Sequence, residues 1–232
     1  MKKIGFIGGY DKTDLIMYLA RILVEVGQKV IFIDGTLTQK AKYIVPTIKP
    51  SKAYVTQFEG IDIAVGFDSY EEIKDYLGMP QLVDFNYDIA LIDVDTVDGV
   101  RKYSIEECEQ HYFATSFDMY SIKRGLESIS GLQSPITAYK VLFSKRATKE
   151  EDDYLNFVSL GSKVTWNDEI ILFPFELGDQ TVIYRNQRVS KIKFKKLSNQ
   201  YKESLMYLTI KVLDDEQEGE VRKAFKKIEK WV

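Results

Sequence analysis

The sequence predicts a doubly wound α/β domain, a mostly parallel sheet with helices on both faces. Three observations carry that expectation. Short apolar runs alternate with segments of helical periodicity along most of the 232 residues. One run, YDIALIDVD from Tyr87 to Asp95, has the continuous apolar core that a strand buried on both faces needs. The first apolar run leads through Gly8-Gly9 directly into a helical pattern.

Taken in order, Lys3 to Ile7 reads as a first strand and Asp11 to Val26 as a helix, with Leu15, Leu19, Ile22, Leu23 and Val26 at helical spacing. Gly27 is a helix stop. Lys29 to Ile33 is a second strand ending at Asp34, and Tyr54–Phe58 and Ile61–Phe67 are shorter strands. Tyr70 to Leu77 is helical, and Tyr87 to Asp95 is the buried strand. Tyr112–Thr115 and Lys140–Phe143 are further strands, while Tyr120–Ile129 and Lys149–Val158 are helices. Glu169 to Phe173 reads as a last strand closed by Pro174. Between Ser198 and Leu213, Tyr201, Leu205, Leu208 and Val212 form a helical stripe. No repeat or Gly/Ser linker divides the chain, so the expected organisation is one domain over 1–213, then an acidic hinge and a basic amphipathic helix over 214–232.

Composition narrows the function classes. Apolar residues at 45% and charged residues at 29% are ordinary for a globular protein that buries a core. A net charge of -3 gives no whole-molecule attraction to nucleic acid or anionic lipid, so any such contact needs a local patch. Cys108 is the only cysteine, which excludes an internal disulfide and suits a reducing cytosol. His111 is the only histidine, which excludes multi-histidine metal sites. Both are expected to be structural, on a helix or its end. The apolar run at Met1–Gly9 is too short for a signal-peptide core, and no run approaches the roughly 20 apolar residues of a membrane span.

The stretch IGFIGGYDKTD, Ile4 to Asp14, resembles an altered phosphate-binding loop. A strand, a glycine turn and a helix N-terminus make an anion site, because free N–H groups and the helix dipole point at the ligand. Lys12 can reach the phosphates and Thr13 can hold Mg²⁺. However, Phe6 and Asp11 stand where the full pattern has glycines. Asp11 also suits a helix N-cap, where it would take the donors that a phosphate needs. Its charge would repel a polyphosphate by roughly 1 kcal/mol at ~4 Å in water, and by more near protein. Asp34 and Asp93 both end strands, where ligands collect in open parallel sheets.

From Lys3 to about Leu213 the chain resembles the ParA/MinD group of P-loop ATPases, which partition plasmids and position division, flagellar and pilus machinery. The first motif of that group, K-G-G-V-G-K-T-T, is similar to Ile7-Gly8-Gly9-Tyr10-Asp11-Lys12-Thr13-Asp14. Its strand ending in D-x-D matches Asp34-Gly35-Thr36, and its Y-D-x-x-x-x-D strand matches Tyr87, Asp88 and Asp93. ATSFDMYSIKRG, Ala114 to Gly125, and FPFELGDQTVIYRNQRVS, Phe173 to Ser190, resemble later segments of the group, the second carrying the proline loop near the adenine at Pro174. The resemblance implies a P-loop NTPase-like fold, with ATP held by Gly8, Gly9, Asp11, Lys12, Thr13, Asp34, Asp93 and Pro174 and Mg²⁺ by Thr13 and Asp93 if nucleotide binds. The departures point the other way. The signature lysine is Ile7, the glycine before the Walker lysine is Asp11, the second acid of D-x-D is Thr36, and FSK at Phe143–Lys145 lacks the asparagine near the base. An intact lysine in a broken loop implies a pseudo-ATPase with no catalytic residue assigned, serving as a recruitment module for partition, pilus, secretion or conjugation machinery. The rival is a slow ATP switch in which Asp34 positions water.

Two surfaces add expectations. Arg185, Arg188, Lys191, Lys193, Lys195 and Lys196 form a basic run, read either as a phosphate-contacting patch for nonspecific DNA or as a charged edge strand. In the tail, Val221, Phe225 and Ile228 share a helical face near Trp231, among lysines. That face suits either a membrane interface or a helix docked on the body or a partner. The expected place is the cytoplasm, with a peripheral contact at the inner membrane face as the alternative, and a homodimer is open.

Overall fold

The computed structural model describes residues 1–46, 51–80, 85–174 and 177–230. Among them, eight strands form one sheet in the order β3-β4-β2-β5-β1-β6-β7-β8. The strands are β1 (Lys2–Ile7), β2 (Val30–Asp34), β3 (Tyr54–Phe58), β4 (Ile61–Val65), β5 (Ile89–Val94), β6 (Gln110–Thr115), β7 (Ile136–Leu142) and β8 (Val164–Leu172). Every pairing is parallel except β3 with β4. The central strands are buried on both faces: every residue of β2 and β5 is buried, Asp34 and Asp93 included, which the apolar runs Val30–Ile33 and Ile89–Ile92 anticipate.

The helices are α1 (Thr13–Val26), α2 (Ala41–Ile44), α3 (Tyr70–Tyr76), α4 (Val97–Lys102), α5 (Met119–Ile129), α6 (Lys149–Val158), α7 (Leu177–Arg188), α8 (Asn199–Leu213) and α9 (Glu218–Ile228). They divide between the two faces. Residues of α1, α7, α8 and α9 share one core with Phe6, Phe32 and Leu91 of the sheet. Residues of α3, α4, α5 and α6 share the other with Ile7, Ile33 and Ile92. The alternation of strand side chains puts Asp34 and Asp93 in step with Phe32 and Leu91, toward α1. The predicted doubly wound architecture is therefore observed.

Local chemistry fixes the ends. Gly27 closes α1 at φ 107°, a left-handed conformation that glycine adopts without strain, and Gln28 N–H then bonds Leu23 O. Thr148 and Glu151 cap α6 reciprocally. Near Lys140 the pairing of β7 with β8 slips, with Ala138 opposite Trp166 and Lys140 opposite Ile170.

The structure corrects several sequence expectations. α1 starts at Thr13, and Lys12 rather than Asp11 holds the N-cap position, with no side-chain cap. The last strand begins at Val164 and the Lys140 strand at Ile136. Helices α2, α4 and α7 lie outside the sequence expectations, since the first two are under two turns long and α7 has a weak apolar stripe. The basic run is not an edge strand. Arg185 and Arg188 lie on α7, and Lys191 to Lys196 is irregular chain pinned by buried Phe194, which meets Tyr18 and Phe225 edge-on at 5.0 and 5.5 Å. Cys108 follows a 3-10 turn and His111 lies in β6 rather than on a helix.

The tail resolves toward the docked reading. Val221, Phe225 and Ile228 are all buried in the core with α1 and α8, so the face that suited lipid is already covered. Lys227 pairs with Glu25 of α1 at 2.5 Å, and Lys202 of α8 with Glu229 at 2.5 Å. Trp231 lies outside the described residues. No helix among the described residues is long and apolar enough to cross a membrane. Phe225→Ala is expected to cost about 3–5 kcal/mol in urea unfolding, the usual loss for truncating a core phenylalanine. An unchanged midpoint would show that α9 is not part of the core.

Candidate functional site

The carboxyl ends of β1, β2 and β5 meet beside the N-terminus of α1, and the predicted loop residues gather there. Gly8 has φ 145°, and a Cβ on it would lie 2.1 Å from Ala114 O. A Cβ on Gly9 would lie 2.5 Å from Arg124 Cβ of α5. Both glycines are thus required by packing of the loop against β6 and α5, whatever the loop binds.

Lys12 turns inward. Its side chain is 1% exposed, and Nζ lies 2.6 Å from Asp93 Oδ1. The ammonium also donates to Gly8 O at 2.9 Å and Val94 O at 3.2 Å. Three partners on the loop and β5 therefore hold the group that would meet a phosphate. The contact with Asp93 is an ion pair without aligned hydrogen-bond geometry, and Asp93 Oδ2 is buried with no partner. Burial pushes the Asp93 carboxyl up to about 7, against the lowering pull of Lys12.

Asp34 is committed elsewhere. Its Oδ1 accepts from Thr36 N–H at 3.1 Å and Thr36 Oγ at 2.6 Å, and Oδ2 accepts from Ala41 N–H at 2.9 Å. Burial nonetheless raises its carboxyl above the ordinary range. Asp34 and Thr36 together build the β2–α2 turn, and neither Asp34 oxygen is left without a donor to orient a water.

Asp11 occupies the mouth. Its Oδ1 accepts from Thr13 N–H at 3.2 Å, which uses a donor that an anion would need. Its Oδ2 meets Lys40 Nζ at 2.6 Å, and the same ammonium meets Asp14 Oδ2 at 2.5 Å. Burial opposes the charge on Lys40, but Asp14 and Asp11 outweigh it and hold the ammonium above its usual value. Gln187 of α7 completes the clasp, donating to Asp14 Oδ1 at 2.7 Å. Sequence reasoning missed Lys40, since a lone lysine in a loop gives no local signal.

A cavity of about 150 Å³ remains over the loop, with Lys12, Thr13, Thr38, Asp93, Asp95 and Tyr120 in its walls. Asp11 lines it too, so carboxylates outnumber the ammonium. A second cavity of about 300 Å³ lies alongside, where Tyr10 stacks on Phe143 at 4.3 Å near Tyr184 and Gln180. Pro174 is buried and lines neither cavity. Thr13 and the unpartnered Asp93 Oδ2 offer two oxygens to a cation, but no cluster of three or more metal-ligating acids, thiols or imidazoles occurs among the described residues. A triphosphate fits poorly, because its lysine and a loop N–H are taken and a carboxylate faces it.

The remaining candidates lie elsewhere. Arg185, Arg188, Lys195 and Lys196 are exposed with no acidic partner among the described residues, while Lys191 pairs with Glu59 at 3.1 Å. Lys193 is half-buried. Val221, Phe225 and Ile228 are core residues remote from any surface role. Cys108 and His111 are buried: burial pushes the thiol up to about 12 and lowers the imidazole, whose Nε2 lies 2.8 Å from Ile105 O.

No family model and no curated protein matches the sequence. Similarity lies in three dimensions. A ParA family ATPase from Chlorobium tepidum TLS superposes with a TM-score of 0.57 at 13% identity, covering 90% of this chain and 98% of that one. A chain of the MinC:MinD cell division protein complex of Aquifex aeolicus gives 0.51 at 15% identity, over 100% and 97% of the two chains. The MinD cell division protein of Aquifex aeolicus gives 0.51 at 16% identity, over 90% and 96%. The chain therefore has the fold of the ParA and MinD ATPases over most of its length.

Removing Asp93 from the pair is expected to cost about 3–5 kcal/mol, because the buried Lys12 ammonium is left without its counter-charge. Asp93 titrates above its unfolded range, so its ionisation removes stability as pH rises from about 4 through about 7. Lys12→Met removes the charge that opposes this, so its cost in urea unfolding should be larger at about pH 8 than at about pH 5. The double variant Lys12→Met/Asp93→Leu should recover most of the loss. A pH-independent cost would show that Asp93 does not carry the effect.

Proposed function

We propose that this chain, with the fold of the ParA and MinD ATPases, is a degenerate member of that family. In this reading it is a positioning or recruitment module whose phosphate loop has become a structural joint. It would serve partition, pilus, secretion or conjugation machinery as a binding partner and not as a hydrolysing switch. One observation carries the reading. The Lys12 ammonium is held by Asp93, Gly8 O and Val94 O, while Asp11 and Lys40 close the mouth above it. Three further features support it. Asp34 is saturated by its own turn, Thr36 stands at the second acidic position and serves that turn, and Ile7 stands at the signature lysine.

Titration calorimetry with ATP and Mg²⁺ tests the proposal on the parent chain, Lys12→Ala and Asp11→Gly, each with its fold checked by circular dichroism. The parent is expected to give no saturable heat up to about millimolar ATP, where the binding free energy is only about −4 kcal/mol. Micromolar binding that is lost in Lys12→Ala would overturn the proposal in favour of the slow ATP switch. Binding gained only in Asp11→Gly would locate the block at the mouth.

A further inference from the structure

Two exposed surfaces are complementary, and neither is lined by residues of the loop. The first is on α6, which buries fully only Leu155. Its outer face carries Glu150, Asp153, Phe157 and, just past the helix end, Leu160, at spacings of three, four and three residues. Phe157 is 69% exposed and Leu160 75%, with Tyr154 beside them at 40%. The result is an apolar knob behind two carboxylates that make no ion pair among the described residues. A cluster of large exposed apolar side chains marks a contact surface.

The second surface is a groove of about 300 Å³ between α7 and the chain that follows it. Val182 and Arg185 line it from α7 and Val189 from just past the helix end, and Lys193, Lys195 and Lys196 line it from the other side. Asn186 forms the groove by donating to Lys193 O at 2.8 Å, which folds the segment back along the helix. Buried Phe194 then faces the core between lysines. Val189, 55% exposed, gives the groove an apolar wall, and Arg185, Lys195 and Lys196 have no acidic partner among the described residues.

We propose that the acid-collared knob of one copy docks in the basic groove of the next, so that the chain assembles head to tail. Charge is complementary, with Glu150 and Asp153 against Arg185, Lys195 and Lys196, and the apolar anchor meets an apolar wall. A copy does not fill its own groove, because α6 packs on one face of the sheet and α7 on the other. A knob on one surface and a hole on another make a heterologous contact, which propagates instead of closing as a two-fold dimer. The inference does not depend on nucleotide or on the proposed function of the loop.

Sedimentation velocity of the full chain over about 1–500 µM tests it, at low salt and at about 0.5 M, where surface attraction is screened within a few ångströms. The parent is expected to show a weight-average sedimentation coefficient that climbs with concentration without a plateau at dimer and falls in salt. Phe157→Ser and Lys195→Glu/Lys196→Glu should each raise the apparent dissociation constant at least about tenfold, leaving monomers. Mixed in equal amounts, the two variants should form one-to-one dimers and nothing larger, because each keeps the surface that the other lacks. A parent that stays monomeric, a plateau at dimer untouched by either change, or a mixture that stays monomeric overturns the proposal. Salt-sensitive retention on bulk DNA that needs Lys195 and Lys196, without self-association, would make the groove a nucleic-acid site instead.

Discussion

The buried pair of Lys12 and Asp93 is the interaction on which the site depends. It ties the loop after β1 to the end of β5, at the centre of the sheet, where neither charge reaches water. Each charge is costly there without the other, and hydrogen bonds from the ammonium to Gly8 O and Val94 O offset part of the desolvation. The pair sets the direction of Lys12, and that direction closes the loop beneath the mouth. The same pull leaves Asp93 Oδ2 unpartnered, because one lysine cannot satisfy both carboxylate oxygens while it also serves two carbonyls.

A second layer of charge lies above the first. Asp11 and Asp14 would repel each other and any anion at the mouth, and Lys40 is placed between them. This makes the β2–α2 turn a lid fastened to α1, with Asp34 and Thr36 holding the turn in shape. Gln187 adds α7 to the assembly. Residues at scattered positions, Asp11, Thr36 and Lys40, are thus parts of one closed arrangement. The loop is held by two layers of ion pairs, one buried and one at the mouth.

The distribution of buried surface explains which faces remain free. α8 and α9 cover α1 so fully that nearly every side of α1 is buried. The tail lysines then serve as surface charges, with Lys227 reaching back to Glu25. On the opposite layer α6 commits little of itself to the core and keeps Phe157 and Leu160 outside. The molecule therefore carries an acidic, apolar flank on one layer and a basic groove on the other.

Most strands of the sheet and the place of the loop are legible in the amino-acid sequence. Short apolar runs such as Ile89–Ile92, bounded by polar residues, are what strands covered on both faces need, and a glycine pair shortly before Asp-Lys-Thr marks a strand-to-helix turn. These are local patterns set by backbone sterics and burial, so they are legible one segment at a time. What the charged residues do is settled by the folded arrangement. Lys12 reads the same in sequence whether it faces phosphate or Asp93, because its partner lies 81 residues away. Lys40 gives no signal until the β2–α2 turn brings it to Asp11 and Asp14. The stripe of Val221, Phe225 and Ile228 is equally suited to lipid and to protein, and it is the shape of α1 and α8 that selects the core. Charge pairing and docking depend on distances between segments far apart in the chain, and those distances exist only once the chain has folded.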